Sequence, residues 1–546
     1  MSKGRILRYF TIFTILVGLF VSCTPSALAD DSIEIWDGSV ASQYSGGSGT
    51  KDDPYIITNG AQLALVGGWE TDLYYVIKND IYLNDVSNFS NWENQAPSNI
   101  WIPNRFNSNI DGGNHTIYGL YTNKDEDYQG LFSQISISAT IKNIRIEKSY
   151  LLGVNQCGSI VGRINNSTDK TVLIDNCQFS GIMRVTGYYN GGLVGMSYGA
   201  GRDNNQIIIS NCANHADIAN TNKDAVDSND TIRLGGIIGQ PANGTTVDSC
   251  ANYGNIGGYS SQVGGIAGLG WNYSIIKNCI NYGDVITSGS SDVAGIVGNF
   301  HDDSGIYNCI NVGNIHGEYR TAGICASVYE RTDIKNVLNA GNVTNGSNEP
   351  TYAVIGYYES EDTRVNCLYV QNTGIQHTTE EIPVSPEAYS DGTVVAQINE
   401  WIQQNQTPKT RLKLWAQSPA IADNAPYLTD IIPDAIRKDN EYRLSSLVAT
   451  DLSGNTLDSI PDDKFLISLK IENICSKGDT MVVIATYNEL GQYEGLMYFS
   501  VEDLTEGTTF KVSLLIDNQD GSIKKIQAFS IESFSRFVPI GNTVSI

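Results

Sequence analysis

From residue 158 the chain repeats one apolar signature: two small residues, two aliphatic ones and a closing glycine. It reads Gly158-Ser-Ile-Val-Gly162, Gly191-Gly-Leu-Val-Gly195, Gly235-Gly-Ile-Ile-Gly239, Gly264-Gly-Ile-Ala-Gly268, Ala294-Gly-Ile-Val-Gly298 and Ala322-Gly-Ile-Cys-Ala326. A weaker copy is Ala353-Val-Ile-Gly356, and successive copies start 33, 44, 29, 30, 28 and 31 residues apart. A second block trails the first: Asn176-Cys177, Asn211-Cys212, Ser249-Cys250, Asn278-Cys279, Asn308-Cys309, Asn336-Val337 and Asn366-Cys367. In four consecutive copies it falls 15 residues after the block start, which specifies one structural unit per repeat.

The second block alternates with period 2 and predicts a strand. Cys250, Asn252, Gly254 and Ile256 share one face, as do Cys279, Asn281, Gly283 and Val285 in the next copy. A unit this short cannot bury its apolar face alone, so units must stack, and equivalent residues form columns. The expected fold is a parallel β-solenoid with an inward cysteine column. An asparagine column links its amides from coil to coil at a bend.

Beyond the array, Val394, Val395, Ile398, Trp401 and Ile402 have helical spacing and predict an amphipathic helix over 393–405, with Trp415 and Pro426-Tyr-Leu428 placed to cover the last coil. Residues 442–546 carry alternating stretches near Phe465–Ile471, Met481–Tyr487, Leu496–Val501, Phe510–Ile516 and Ile526–Ile531, separated by turn signals. Short strands at this spacing predict a small Ig-like β-sandwich.

The pattern Gly264-Gly-Ile-Ala-Gly268 followed by Ile276-Lys-Asn-Cys-Ile-Asn-Tyr-Gly-Asp-Val285 resembles the GLUG-type repeat of bacterial secreted and surface proteins. Ile110-Asp-Gly-Gly-Asn-His-Thr-Ile-Tyr-Gly-Leu120, Gly130-Leu-Phe132 and Ile141-Lys-Asn-Ile-Arg-Ile146 resemble the rungs that precede such repeats, and residues 46–66 resemble an N-terminal cap. The resemblance spans roughly residues 33–430 and implies a right-handed parallel β-helix. It divides the chain into a cap (33–100), repeats (about 130–370), a helical and tryptophan-bearing cap (378–430), a linker (431–441) and the sandwich module (442–546). Relatives of this kind include adhesin-like proteins and accessory regions of IgA1-specific metallopeptidases. Those peptidases need His-Glu-x-x-His for zinc. None of His115, His215, His301, His316 and His377 is followed by glutamate, so that activity is not carried over.

Charge narrows the partners. The 59 acidic and 34 basic residues give a net charge of −25, which disfavours nucleic acid and anionic lipid. Lys3, Arg5 and Arg8 precede an apolar run ending near Val21, and Ala27-Leu28-Ala29 supplies a cleavage signature, so residues 1–29 read as a secretory signal peptide. The alternative is a lipobox, Phe20-Val21-Ser22-Cys23, with a lipid on Cys23. No later apolar stretch reaches the length of a membrane span.

Candidate chemistry is sparse. A cysteine column at one repeat position, replaceable by Val337, predicts free buried thiols rather than disulfides. The acidic groups Asp302-Asp303, Glu359 with Glu361-Asp362, and Asp224, Asp227 and Asp230 read as solvated loop faces; the last set is the one calcium candidate, and no other cofactor is expected. His115 reads as a rung-corner histidine. Gly268, Gly270 and Gly298 read as turns. Seven residues past the block starts fall Tyr198, Trp271, His301 and Tyr329, with Ala242 interrupting the series. Rings in such a column suit the flat faces of sugars. The expectation is therefore a secreted or surface-held solenoid that binds glycans or extracellular protein. The competing expectation is a carbohydrate-active enzyme on the same scaffold, marked by two carboxylates, or a carboxylate and a Lys or Arg, converging in one groove.

Overall fold

The computed structural model describes residues 33–122, 125–201, 206–226, 232–289, 292–347, 349–359, 362–371, 375–378, 380–407, 411–417, 425–428, 442–453, 455–457, 459–473, 480–489, 493–501, 509–519, 521–533, 536–539 and 544–545. The signal and lipobox segment, the linker 431–441, Glu361, Asp227 and Asp230 lie outside them.

Each repeat is one coil of a parallel β-solenoid. The coil that begins at Gln262 is typical: short strands run over Gln262–Gly264, Ala267–Trp271, Ile275–Lys277, Ile280–Asn281 and Val285–Ser288. Every one pairs in parallel with its equivalent in the next coil, for example Val263 with Val293, Ala267 with Val297, Ile276 with Ile306 and Asn281 with Asn311. Repetition builds parallel sheets of 25, 8 and 6 strands among the described residues. Gly268, Gly270 and Gly298 lie inside strands rather than in turns. Gly270 points inward, and the ring of Phe300 from the next coil occupies the space its missing side chain leaves.

The two repeated blocks are physically complementary. The amide of Asn281 packs against Gly265 of its own coil, where a Cβ would sit 2.3 Å from the asparagine Cγ; Gly295 and Asn311 repeat the fit at 2.2 Å. The amides then chain along the solenoid, Asn214 to Asn252 at 2.7 Å, Asn252 to Asn281 at 2.7 Å, Asn281 to Asn311 at 2.8 Å and Asn311 to Asn339 at 2.8 Å. A second ladder, not foreseen, uses the first residue of the second block, an asparagine in every copy but Ser249. These residues hold positive φ, 54° at Asn278 and 53° at Asn308, a conformation asparagine tolerates. Their amides link Asn308 to Asn278 at 2.8 Å and Asn336 to Asn308 at 3.0 Å.

Eight described cysteines, from Cys157 to Cys367, are free and buried, and six of them, Cys177, Cys212, Cys250, Cys279, Cys309 and Cys367, stand in the repeat column. The thiols of Cys250, Cys279 and Cys309 donate to backbone carbonyls of the preceding coil, so each is satisfied without a bridge.

Residues 393–405 form the helix that their spacing predicts. It lies along the side of the array, not over its end. Val394, Val395, Ile398, Ile402, Trp415 and Leu428 cover a column of Ala251, Ile280, Ile310, Leu338 and Leu368 from five coils. Trp415 Nε1 donates to Asn308 Oδ1 at 2.8 Å and the Lys413 amide to Asn278 Oδ1 at 2.9 Å, so the segment reads the second ladder directly. Among the described residues, the C-terminal ones fold into two antiparallel sheets, one of three strands and one of five. Phe465, Ile467, Val482, Ile484, Ile516 and Ile526 form their common core, as in a sandwich.

Candidate functional site: a ring stripe beside a polar crease

The small-residue block makes the coil fold back sharply. A Cβ on Gly264 would sit 2.2 Å from Ala267 O, and one on Gly268 2.6 Å from Leu234 N, so the angle between the strands holds backbone alone. Its two walls are set by register. Two residues before each block start come Arg233, Gln262, Asp292 and Arg320; five residues after it come Gln240, Leu269, Asn299 and Ser327. The rings seven residues after the block start stand at the outer edge of this crease.

Strand pairing aligns Tyr198 with Ala242, Ala242 with Trp271 and Trp271 with His301. The four expected residues thus share one column. Tyr198 is separated from the others by buried Ala242, whereas Trp271, His301 and Tyr329 follow one another with ring centroids 6.2 and 6.3 Å apart. Tyr357, which the sequence reading missed, continues the series 5.1 Å from Tyr329. All three foreseen rings of the continuous stripe are half-buried. With Tyr357 the four rings meet in turn at 43°, 89° and 40°, in contrast to His215, Tyr253 and Tyr282 elsewhere on the solenoid, which stack within 8° of parallel. Flat stacking hides ring faces against one another; tilted rings leave faces open.

Asp302 fixes the stripe. Its Oδ2 accepts from Trp271 Nε1 and lies 2.9 Å from His301 Nδ1. Burial works against its charge, but hydrogen bonds from Glu330, His301 and Trp271 outweigh that and hold its carboxyl below the usual range. Glu330, hydrogen-bonded to this carboxylate, is pushed up. Asp303 forms a two-pronged pair with Arg331, both contacts at 2.9 Å. These acidic residues are therefore corner braces as well as solvated groups. His115 sits at a turn with Nδ1 3.2 Å from Asp80 Oδ1.

Within the crease a carboxylate and an arginine converge. Asp292, 3% exposed, accepts from Ser327 Oγ at 2.7 Å and Asn299 Nδ2 at 3.1 Å, and pairs with Arg320 Nε at 3.3 Å. Arg320 Nη1 in turn donates to Ser327 Oγ at 2.9 Å and to the Tyr329 hydroxyl at 2.8 Å. Burial disfavours the guanidinium charge, but Asp292 and Tyr329 more than offset it and raise its pKa. Asn299 Oδ1 and Gln240 Oε1 are buried without a partner among the described residues. None of these was singled out from sequence; counting two residues back and five forward from each block start would have found them. Among the described residues, no group of three or more His, Cys, Asp or Glu side chains is arranged to hold a metal ion.

No family model matches the chain. A candidate Gly-rich membrane protein of Evansella cellulosilytica is 27% identical over 133 residues, 23% of this chain and 15% of that protein. Halomucin of Haloquadratum walsbyi is 27% identical over 127 residues, 22% of this chain and 1% of that protein. The chain thus matches a small part of either relative. Among solved structures, a candidate immunoglobulin A1 protease from Bacteroides ovatus aligns over 71% of this chain and 95% of its own at 18% identity and a TM-score of 0.33. A structure named IgA1 protease aligns over 60% of this chain and 23% of its own, also at 18% identity, with a TM-score of 0.34. No helix among the described residues is long and apolar enough to cross a membrane.

Proposed function

We propose that this protein is a secreted or cell-surface β-solenoid of the GLUG type that binds glycans along the stripe of Trp271, His301, Tyr329 and Tyr357. The observation that carries the reading is the stripe itself: consecutive coils present one tilted ring each, half-buried at Trp271, His301 and Tyr329 and exposed at Tyr357, at a spacing near the length of one sugar ring in an extended chain. Tyr198, set apart by Ala242, is a separate contact on the same column. A glycan and matrix-protein array identifies the ligand. Replacing Trp271 and Tyr329 by alanine then weakens the best glycan hit by about tenfold or more, because each ring supplies about 1 kcal/mol beyond its buried area. Unchanged binding in a folded double variant refutes the reading.

The convergence of Asp292 and Arg320 in the crease favours a second reading, a carbohydrate-active enzyme on the same scaffold. Its signature is the appearance of new reducing or unsaturated ends when the protein is incubated with a polysaccharide panel.

A further inference from the structure

Arg320 joins the crease to a cavity of about 380 Å³ lined by Tyr319, Arg320, Glu349, Pro350 and Tyr352. We infer that this cavity is a subsite for one neutral sugar ring, gripped through neighbouring hydroxyls by Arg320 and Glu349. The inference rests on the glycan reading above and adds a specificity to it.

Four features carry it. The volume lies in the range of small-ligand sites and matches a ring or two rather than a polymer cross-section. Its walls are two tyrosine rings and a proline, apolar surfaces with polar edges, as a sugar face requires. Its polar groups have opposite character: Arg320 only donates and ionised Glu349 only accepts, so together they match a diol, one oxygen accepting and the neighbouring hydroxyl donating. The balance of charge selects against ionic ligands. With one basic and one acidic side chain in its lining, the cavity has no excess charge to draw an ionic ligand.

The guanidinium is preset for this role. Nε and Nη1 are held by Asp292, Ser327 and Tyr329, and the side chain remains 43% exposed. The same arginine bonds the Tyr329 hydroxyl and lies 5.9 Å from the Tyr357 ring centroid. The cavity is therefore joined to one end of the ring stripe, and a chain lying on the rings reaches it through Arg320.

The test measures binding of cellohexaose, xylohexaose and mannohexaose by calorimetry, with oligogalacturonate and chitosan hexamers as charged comparators. The proteins are the wild type, Glu349→Gln, Tyr319→Ala and the W271A/Y329A pair. Tyr319 is exposed and Glu349 lies at the surface, so neither change threatens the core. The expected result is that at least one neutral hexamer binds more tightly than either charged one, and that E349Q and Y319A each weaken it about tenfold. Arg320→Lys, which keeps the charge but not the planar fork, weakens it likewise. If neutral hexamers bind and lose affinity in W271A/Y329A but not in E349Q or Y319A, the subsite is wrong and the stripe stands. Tighter binding of a charged hexamer also overturns the subsite. If no neutral hexamer binds the wild type, the subsite is wrong, and the stripe is then judged by the array and the W271A/Y329A pair alone.

Discussion

Replacing Asn281 by alanine tests whether the inner amide ladder holds the coils together. Asn281 is fully buried. Its Nδ2 donates to Gly283 O at 2.8 Å and to Asn311 Oδ1 at 2.8 Å, and its Oδ1 accepts from Asn252 Nδ2 at 2.7 Å. Three bonds at about 1 kcal/mol each are lost, and the Gly283 carbonyl and Asn311 Oδ1 are left as dry acceptors, each adding roughly 1 kcal/mol or more. The expected destabilisation is about 4–6 kcal/mol. Urea unfolding followed by tryptophan fluorescence measures it, read at the first transition because repeat arrays need not unfold as one unit. Asn314→Ala is the control, since Asn314 bonds Asp284 at 3.0 Å on the exposed side and should cost under about 1 kcal/mol. The double variant N281A/N311A should lose less than the sum of its parts, because the bond between them is counted once. A loss below about 1 kcal/mol for N281A, or strict additivity, would refute a cooperative ladder.

Three other outcomes are expected. The eight described thiols should resist modification in the native protein and react in denaturant without reductant; burial pushes Cys157 and Cys367 up to about 12, so alkaline conditions short of that leave them protonated. Because these two thiols ionise first in the unfolded chain, their contribution to stability should fall as pH rises above about 9. Burial also pushes Glu381 up to about 7, so the folded carboxyl keeps its proton between about pH 4.5 and 7 where the unfolded one has lost it. Stability from this group is full at low pH and falls by on the order of 3 kcal/mol as pH rises through 7; hydrogen exchange in Glu381–Val384 should show it, and E381Q should abolish it. Arg320→Ala should lower the melting temperature by leaving Asp292, 3% exposed, without its cation, and the additional change Asp292→Asn should restore part of the loss.

The solenoid was legible because its information is periodic. Block spacing placed the cysteine column, the inner ladder and the alignment of Trp271 with His301, and the structure has all three. What escaped is what periodicity does not encode. Asp292, Asn299, Ser327 and Arg320 sit at fixed register positions but differ in type from coil to coil, so the repeat marks their places and not their chemistry; they meet because the glycine corner folds one strand back on the next. Tyr357 was missed because it lies four rather than seven residues past its block start at Ala353, paired with Ser327, and its ring reaches across to Tyr329. The placement of Trp415 turned on a hydrogen bond to Asn308, 107 residues away, which composition cannot reveal.

The fit of Gly265 to Asn281 has a consequence for how such a chain changes length. The two residues lie 16 apart within a single coil, so each coil carries its own fastening and owes nothing to a particular neighbour beyond another asparagine. Gaining or losing a whole coil leaves every surviving pair matched. Six extra residues between Gly192 and Asn214 do not part them, since the amide still packs on the glycine and bonds Asn252 at 2.7 Å, so an addition inside a coil must leave the paired strands in register. Tolerated growth is thus quantised in whole coils, with loops as the exception. Because rings occur one per coil along the stripe, the length of polymer that the surface can hold grows by the same quantum.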